Sequence, residues 1–417
     1  MNYLDLDINL NEDDIALRQS AHRFAKEVMR PIAKELDEMT PEQVIAKDSP
    51  FWTFMKKAYE LGYHKIYIPD TYGGLDLTPL QQAIIIEELA WGSVGLTVGL
   101  GVAGFFAFGA TMIGEDYLVD NFVTPFCECT DASIVGCWGI TEPDHGSDTV
   151  IPGHPIFSDP NIKAQCRAKL DGDEYVINGQ KAAWVSMGTV ATHCFLFCQM
   201  DPSMGMAGGG IFAISLDLPG ISKGAPLNKI GQRDLNQGEI FFDNVRVPKD
   251  CLIVGPEAYE VFLEMTLSFT TASMSLYATG IARAAMEEAL EYAKNRIQGG
   301  KALIEYPNVQ TKLFEMFRKV ETTRLMSRAA WIYNMNTTES AEEYSIIAKV
   351  HGTQSAYEVA HEAIQLFGGN GLTKEYLIEK LFRDARAMLI EDGSNDTLSI
   401  SAGHKFIQTY PRMNDLS

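Results

Sequence analysis

The stretch YVINGQKAAWVSMGTVATHCFLFCQM (175–200) decides how this 417-residue chain is organised. Tyr175-Val-Ile, Trp184-Val-Ser and His193-Cys-Phe-Leu-Phe are short β-branched and aromatic runs, the composition that packs on a pleated, half-buried surface. Gly210-Ile-Phe-Ala-Ile and Glu239-Ile-Phe-Phe continue the pattern. Asp171-Gly172, Asn178-Gly179 and Asp243-Asn244 read as the turns between strands. A small antiparallel barrel or sandwich fits, beginning near Ala132 and ending at Pro248.

Helical spacing lies on both sides of this block. Upstream, Asn11 suits an N-cap, Glu12, Asp13 and Asp14 suit the positive end of a first turn, and Leu17, Ala21, Phe24, Ala25 and Val28 recur on one face until Pro31. Residues 52–61 and 80–91 are further helices, parted by the turn-rich PDTYGG (69–74). Downstream, Ile281, Ala285, Ala289 and Ala293 restore helical spacing, which returns over 342–366. Helices, then strands, then helices imply segregated units and not an alternating α/β sheet. The expected fold is α+β: a helical domain over 1–134, a central β domain over 135–250 and a helical domain over 251–417.

Composition narrows the function. The 55 acidic and 34 basic residues give a net charge of −21, which argues against nucleic-acid binding through phosphate neutralisation. A polyanionic small molecule would need its own local donors. The seven Cys (127, 129, 137, 166, 194, 198 and 251) form no CxxC pair and no zinc pattern, so no metal is expected. They read as reduced thiols of a cytoplasmic protein, and the acidic start MNYLDLDINLNEDD has no signal-peptide character. Residues 91–114 lack charge and reach membrane-spanning length, but seven Gly and three hydroxyl residues favour a buried helix pair over a membrane span. Gly99, Gly101 and Gly104 spell GxGxxG without the strand and βαβ unit that would make it a phosphate loop, so close helix packing explains them better.

The segment WGITEPDHGSD (138–148) joins a strand to a loop of small and hydroxyl residues able to hold a phosphate or a flavin edge. With NGQKAAWVS (178–186), RVP (246–248), QLFGGNG (365–371) and RDARAMLIEDGS (383–394), it resembles the acyl-CoA dehydrogenase family, in order, across nearly the whole chain. PDTYGG and EELAWG (87–92) extend the likeness into the N-terminal block. The resemblance implies a helical domain, a β domain and a C-terminal four-helix bundle, which agrees with the order read from periodicity. It implies FAD, with Trp138, Ile140, Thr141, Ser147, Trp184 and Ser186 against the flavin half and Ser394 and Asp396 also at the cofactor. Arg296 matches the Arg that reaches the FAD pyrophosphate of a neighbouring subunit, and Gln365, Gly368 and Gly369 match the segment under the adenosine. A homo-oligomer, a dimer of dimers, follows from that arrangement. Gly299 stands where the family often has Phe, and Pro307 where it often has Gln.

Dehydrogenation beside a thioester needs a carboxylate for the α-proton and an acceptor for the β-hydride, and flavin N5 is the acceptor the resemblance implies. Aligning RDA at Arg383 puts Asp392, before Gly393-Ser394, where the family often has Glu. Asp is shorter by one methylene, about 1.5 Å, a large misplacement for a catalytic base. Three accounts stay open: Asp392 serves a bulkier or differently seated acyl group, Glu391 serves after a one-residue shift, or the base lies elsewhere. Positions near Thr270 and Thr271, where some relatives carry the base, are not acidic, and Thr271 replaces an Arg found in many members. Ser147, Gly101 and Gly393 match substrate positions, and a residue as small as Gly101 fits a long, branched or cyclic acyl group. TVIPGHPIFSDPNIK (149–163) is longer than the usual link, and reads either as part of the acyl or CoA entrance or as a tolerated loop. The implied activity is acyl-CoA dehydrogenation with electrons passed to an electron-transfer flavoprotein. An enoyl-CoA reductase running the same chemistry backwards would carry the same motifs, and a non-enzymatic flavin or CoA-ester binding protein would not need Asp392.

Overall fold

The structure is a computed structural model that describes residues 5–7 and 10–410; the first four residues of the acidic N-terminal stretch lie outside the described residues. The N-terminal block is helical. α1 (Glu12–Phe24) starts with a capping box in which Asn11 and Asp14 exchange side-chain to backbone bonds. The chain does not stop at Pro31. A π-helical turn (Ala25–Met29) leads into α2 (Arg30–Glu38), whose Pro31 lies in the first turn, where a missing N–H costs little. α3 (Pro50–Glu60) and α4 (Pro79–Gly92) follow. The apolar stretch forms α5 (Val94–Val102) and α6 (Phe105–Ile113); Val94–Ile113 is long and apolar enough to cross a membrane, yet it is mostly buried within the fold. Its glycines are packing sites: a Cβ on Gly104 would lie 2.8 Å from the His64 carbonyl oxygen, and one on Gly99 3.0 Å from Met187 Sδ.

The centre is an eight-stranded sheet: β1 (Gly136–Gly139), β2 (Arg167–Asp171), β3 (Glu174–Ser186), β4 (His193–Gln199), β5 (Gly209–Ser215), β6 (Ile221–Lys223), β7 (Gln237–Pro248) and β8 (Leu252–Val254). The order is β6-β7-β3-β2-β4-β5-β8, with β1 also on β4. Pairing is antiparallel except for β1 and β2 against β4. Gly172, at φ +68°, turns β2 into β3 as expected. The other two dipeptides do not turn the chain. Asn178-Gly179 and Asp243-Asn244 face each other in the β3–β7 ladder, where the register slips between Ile177 and Gly179. There the Asn178 side chain accepts from Asn244 N–H at 2.9 Å, replacing a ladder bond. Gly179 is required, because a Cβ would lie 2.5 Å from Cys166 Cα. Both dipeptides supply the positive φ that a turn needs, and here a bulge uses it.

The C-terminal block is a helix bundle of α7 (Tyr259–Asn295), α8 (Pro307–Asn336), α9 (Glu342–Phe367), α10 (Ile378–Met388) and α11 (Asn395–Thr409). Buried ion pairs tie it to the N-terminal block: Glu87 of α4 meets Arg283 of α7 at 2.9 Å and Arg324 of α8 at 2.9 Å. Burial opposes ionisation of Glu87, but Arg324, Arg283 and Arg328 hold its carboxyl down to about 2.

Candidate active site

Two of the three blocks and the turn after α10 meet at one place. Asp392 is in the left-handed conformation, φ +52°, followed by Gly393 at φ +85°. This backbone folds the chain sharply so that Ser394 can cap α11 by accepting from Thr397 N–H. Gly393 is needed twice, because a Cβ there would also lie 2.9 Å from Val150 and 3.0 Å from Leu398. Ser394 N–H donates to Ser147 Oγ at 2.9 Å, which ties the β-domain loop to this turn. The Asp392 N–H bonds to nothing among the described residues, so it is free for a substrate oxygen.

The two candidate carboxylates have separate surroundings. Asp392 Oδ2 accepts from Thr271 Oγ1 at 3.2 Å. Burial pushes its carboxyl up, against Lys349 and the Thr271 and Thr270 hydroxyls, which favour the ionised form. Glu391 Oε2 accepts from Gln232 Nε2 at 2.8 Å, and burial pushes its carboxyl up too, against Lys229 and that bond. Gln232 is held in turn by Asp384, whose Oδ1 accepts its N–H at 2.5 Å, and Asp384 pairs with Lys380 at 2.5 Å. Glu391 therefore belongs to a polar network shared with the β domain.

Lys349 was not singled out from the sequence. Its fully buried ammonium donates to Gly393 O at 2.6 Å and Asn395 Oδ1 at 2.8 Å, so it grips the turn after Asp392 from both sides. Burial lowers its pKa to about 8, although Asp392 and Glu391 favour the charge. Its signal was available: Ser345, Lys349, Gly352, Thr353 and Ala356 share one buried helical stripe, where a lysine is out of place unless it has partners.

The residues matched to the flavin lie on the facing edge of the β domain. In β3 the register slips between Lys181 and Val185, so three residues oppose one on β7, and this bulge turns Trp184 outward. Trp184 is 57% exposed, although the adjacent Val185 is fully buried. Ser186 Oγ accepts from Gln237 Nε2 at 3.0 Å. Ile140 is buried, and its carbonyl accepts from Lys181 Nζ at 3.1 Å, while Thr141 O accepts from Ala182 N–H. Lys181 is itself buried on Glu142 at 2.6 Å, which fixes the loop that starts at Thr141. Trp138 is not on an open face; it packs with Phe105, Phe195 and Phe197 at 4.9–5.5 Å between ring centres. Asp396 is exposed in the first turn of α11.

The residues matched to the far half of the cofactor lie on the opposite end of the bundle. Arg296 ends α7, exposed, and no carboxylate among the described residues pairs with it. Gln365 is exposed at the end of α9, and Cβ atoms on Gly368 or Gly369 would meet nothing. The departure at Gly299 has a local cause. Gly299 and Gly300, at φ +63° and +87°, turn the small hairpin of Ile297–Gln298 and Lys301–Ala302, and Tyr306 Oη donates to Gln298 O and Gly299 O across it. A side chain at 299 would begin 2.4 Å from that hydroxyl.

Gly101 does not open onto free space. A Cβ there would lie 2.7 Å from Tyr277 Oη and 3.2 Å from Tyr67 Oη, and these hydroxyls bond to each other at 2.9 Å. The extra segment 149–163 is also more than a loose loop. Phe157 is buried and stacked over Tyr259, Gly153 N–H donates to Glu260 at 2.8 Å, and Val150 lies against Gly393.

An uncovered tryptophan on the β edge, a partner-free arginine and an open glycine platform suit a large flat ligand with a diphosphate, as FAD is. With a carboxylate turn set between β domain and bundle, they define a class: flavin-dependent dehydrogenases. Comparison with known proteins names the family. Residues 11–128, 137–245 and 260–403 match the N-terminal, middle and C-terminal domains of acyl-CoA dehydrogenases. Short-chain specific acyl-CoA dehydrogenase of Rattus norvegicus mitochondria is 30% identical over 400 residues, 95% of this chain and 91% of that protein. The probable acyl-CoA dehydrogenase YngJ of Bacillus subtilis is 31% identical over 94% of this chain and 97% of its own. The solved butyryl-CoA dehydrogenase of Megasphaera elsdenii superimposes with a TM-score of 0.83 at 26% identity, covering 97% of this chain and all of that one. The chain belongs to the acyl-CoA dehydrogenase family, FAD-dependent oxidoreductases acting on acyl-CoA.

Proposed function

We propose that this protein dehydrogenates a short acyl-CoA thioester between its α- and β-carbons, with Asp392 as the base that takes the α-proton. The observation that carries the assignment is the difference between the two carboxylates: Glu391 is held by the Gln232 amide, whereas Asp392 meets threonine hydroxyls, with Thr271 bonded to it at 3.2 Å, and its own N–H has no partner among the described residues. In this proposal that N–H hydrogen-bonds the thioester carbonyl as negative charge develops there, which makes the α-proton more acidic. FAD, which Trp184, Thr141 and Ser186 of one subunit and Arg296 of a neighbouring one would hold, would supply the acceptor for the β-hydride. Asp392 must start ionised; Lys349 and the threonines favour that form, and closure of the site by substrate raises its proton affinity.

The short acyl chain is supported by the short-chain specificity of the rat relative and by the tyrosine hydroxyls that fill the space over Gly101. Exposed Phe314, Phe317 and Leu325 on α8 and Ile400, Phe406 and Ile407 on α11, with the partner-free Arg296, support a homo-oligomer that completes its cofactor site across subunits, in a dimer of dimers. An electron-transfer flavoprotein is the acceptor in this proposal. Seven free, buried cysteines support a reducing compartment, the cytoplasm. The test is rapid-mixing of FAD-loaded enzyme with butyryl-CoA, for wild type, Asp392→Asn and Glu391→Gln. Flavin reduction should slow by at least about 10²-fold in Asp392→Asn, since a general base is worth about 10²–10⁴. It should slow far less in Glu391→Gln. The reverse order would move the base to Glu391.

A further inference from the structure

A run of half-buried aromatic side chains leads inward from the 392–394 turn to two tyrosine hydroxyls. Phe105 and Phe108 of α6, Trp138 of β1 and Phe269 of α7 are half-buried aromatics in a chain of ring contacts: Phe105 to Trp138 at 5.4 Å, Phe108 to Phe269 at 5.5 Å. Phe269 precedes Thr270 and Thr271, and Thr271 Oγ1 donates to Asp392 at 3.2 Å. Behind the phenylalanines stands Tyr67, 6.0 Å from Phe105, 6.3 Å from Phe108 and 5.8 Å from Trp331. Tyr277, two turns along α7 from Thr270, closes the end from the other side.

Both tyrosines are more than nine-tenths buried, and their hydroxyls meet at 2.9 Å in the notch left by Gly101. Phenylalanine would fill the same volume without the cost of burying a hydroxyl, so a polar pair in an aromatic wall calls for a reason. The pair is not saturated. Each phenol has one donor and two acceptor sites; their mutual bond uses one donor and one acceptor and Ser273 also bears on Tyr277, which still leaves one phenol O–H without an acceptor. The indole Nε1 of the neighbouring Trp331, also fully buried, has no partner. No Lys or Arg bears on either hydroxyl, so a carboxylate brought here would be uncompensated.

We infer that the Tyr67–Tyr277 pair is a specificity site for the distal end of the acyl chain, which is short and carries an uncharged hydrogen-bonding group such as a hydroxyl or carbonyl. This rests on the acyl-CoA dehydrogenase reading and adds the substrate class. A purely aliphatic tail of the same length leaves the hydroxyls without a new partner, and a longer tail meets them as a wall over Gly101. An acidic tail is rejected because it arrives with no counter-charge.

The test uses FAD-loaded enzyme and compares kcat/KM for 4-hydroxybutyryl-CoA, butyryl-CoA, glutaryl-CoA and octanoyl-CoA, in wild type, Tyr67→Phe and Tyr277→Phe. Wild type should prefer 4-hydroxybutyryl-CoA over butyryl-CoA by about tenfold or more, the worth of one buried neutral hydrogen bond, with octanoyl-CoA and glutaryl-CoA poorer still. At least one Phe variant should bring the first ratio towards one. Equal use of the hydroxylated and plain esters by wild type, efficient use of octanoyl-CoA, or a ratio unmoved in both variants would overturn the inference. Butyryl-CoA turnover in those cases leaves the dehydrogenase reading intact, whereas failure of every ester to reduce the flavin sinks both. The wild-type ratios decide the matter even if a variant folds poorly.

Discussion

Replacing Lys349 with Met separates the stability of the catalytic turn from its geometry. The ammonium makes two bonds, to Gly393 O at 2.6 Å and Asn395 Oδ1 at 2.8 Å, and a hydrogen bond from a charged group is worth about 1.5–3 kcal/mol. Their loss costs roughly 3–6 kcal/mol. Against this, burial has lowered the lysine from 10.5 to about 8. At neutral pH that is roughly 3 kcal/mol of penalty for keeping the charge, which Met removes. The two nearly cancel, so Lys349→Met should lose only about 0–3 kcal/mol, a Tm change of a few degrees. Catalysis has no such compensation. The turn loses both clamps, and a base displaced by about 1 Å costs on the order of 100-fold in rate. Asp392 also loses the cation that favours its ionised form, so the acid limb of the kcat/KM profile should move to higher pH. The assay is a pH series of kcat/KM on FAD-loaded enzyme beside a thermal scan. A rate and acid limb matching wild type would refute the role given to Lys349. So would a rate loss explained wholly by unfolding.

Three further outcomes are expected. Arg296→Ala should weaken FAD retention by at least tenfold, read by fluorescence of released flavin on dilution, because an arginine with no carboxylate partner is not holding the fold together; unchanged retention would remove Arg296 from the cofactor site. Glu342 is pushed up to about 8 by burial, against Lys405 and with Glu264 and Glu343 adding to the rise. Its folded pKa exceeds its unfolded value, so its contribution is fully present below about 4.5 and is lost as pH rises to about 8. Glu342→Gln should therefore raise Tm by about 1–2 °C at pH 8.5 and by less at pH 6, in differential scanning fluorimetry; a larger gain at pH 6 would reverse the sign. Gly393→Ala should lower both stability and turnover, since the new Cβ must sit at φ +85° and 2.9 Å from Val150; a variant as stable and active as wild type would show that the turn tolerates another shape.

The architecture was readable because each block has its own period, and the Asn11 cap and the 79–92 and 342–367 helices fall within a residue or two of where spacing put them. The errors came from residues whose local preference serves two structures. Asn178-Gly179 and Asp243-Asn244 prefer positive φ, and nothing local separates a turn from two halves of one bulge; the pairing across 66 residues does. Pro31 ends a helix when its N–H is needed, but here a π-turn has already released that bond. In the site, Asp392 could be singled out from its place before Gly-Ser, whereas Tyr67 and Tyr277 are 210 residues apart and look like ordinary core aromatics until the hydroxyls meet. Gly101 misled for the same reason: a missing side chain shows where space is made, not what fills it.

The central claim is most directly tested by anaerobic titration of the FAD-loaded wild-type protein with butyryl-CoA, following the flavin absorbance and analysing the thioester. The expected result is bleaching of the oxidised flavin band with one equivalent of the α,β-unsaturated ester formed per flavin reduced. A flavin that binds but stays oxidised with every acyl-CoA supplied would contradict the dehydrogenase assignment. So would bleaching that leaves the thioester saturated.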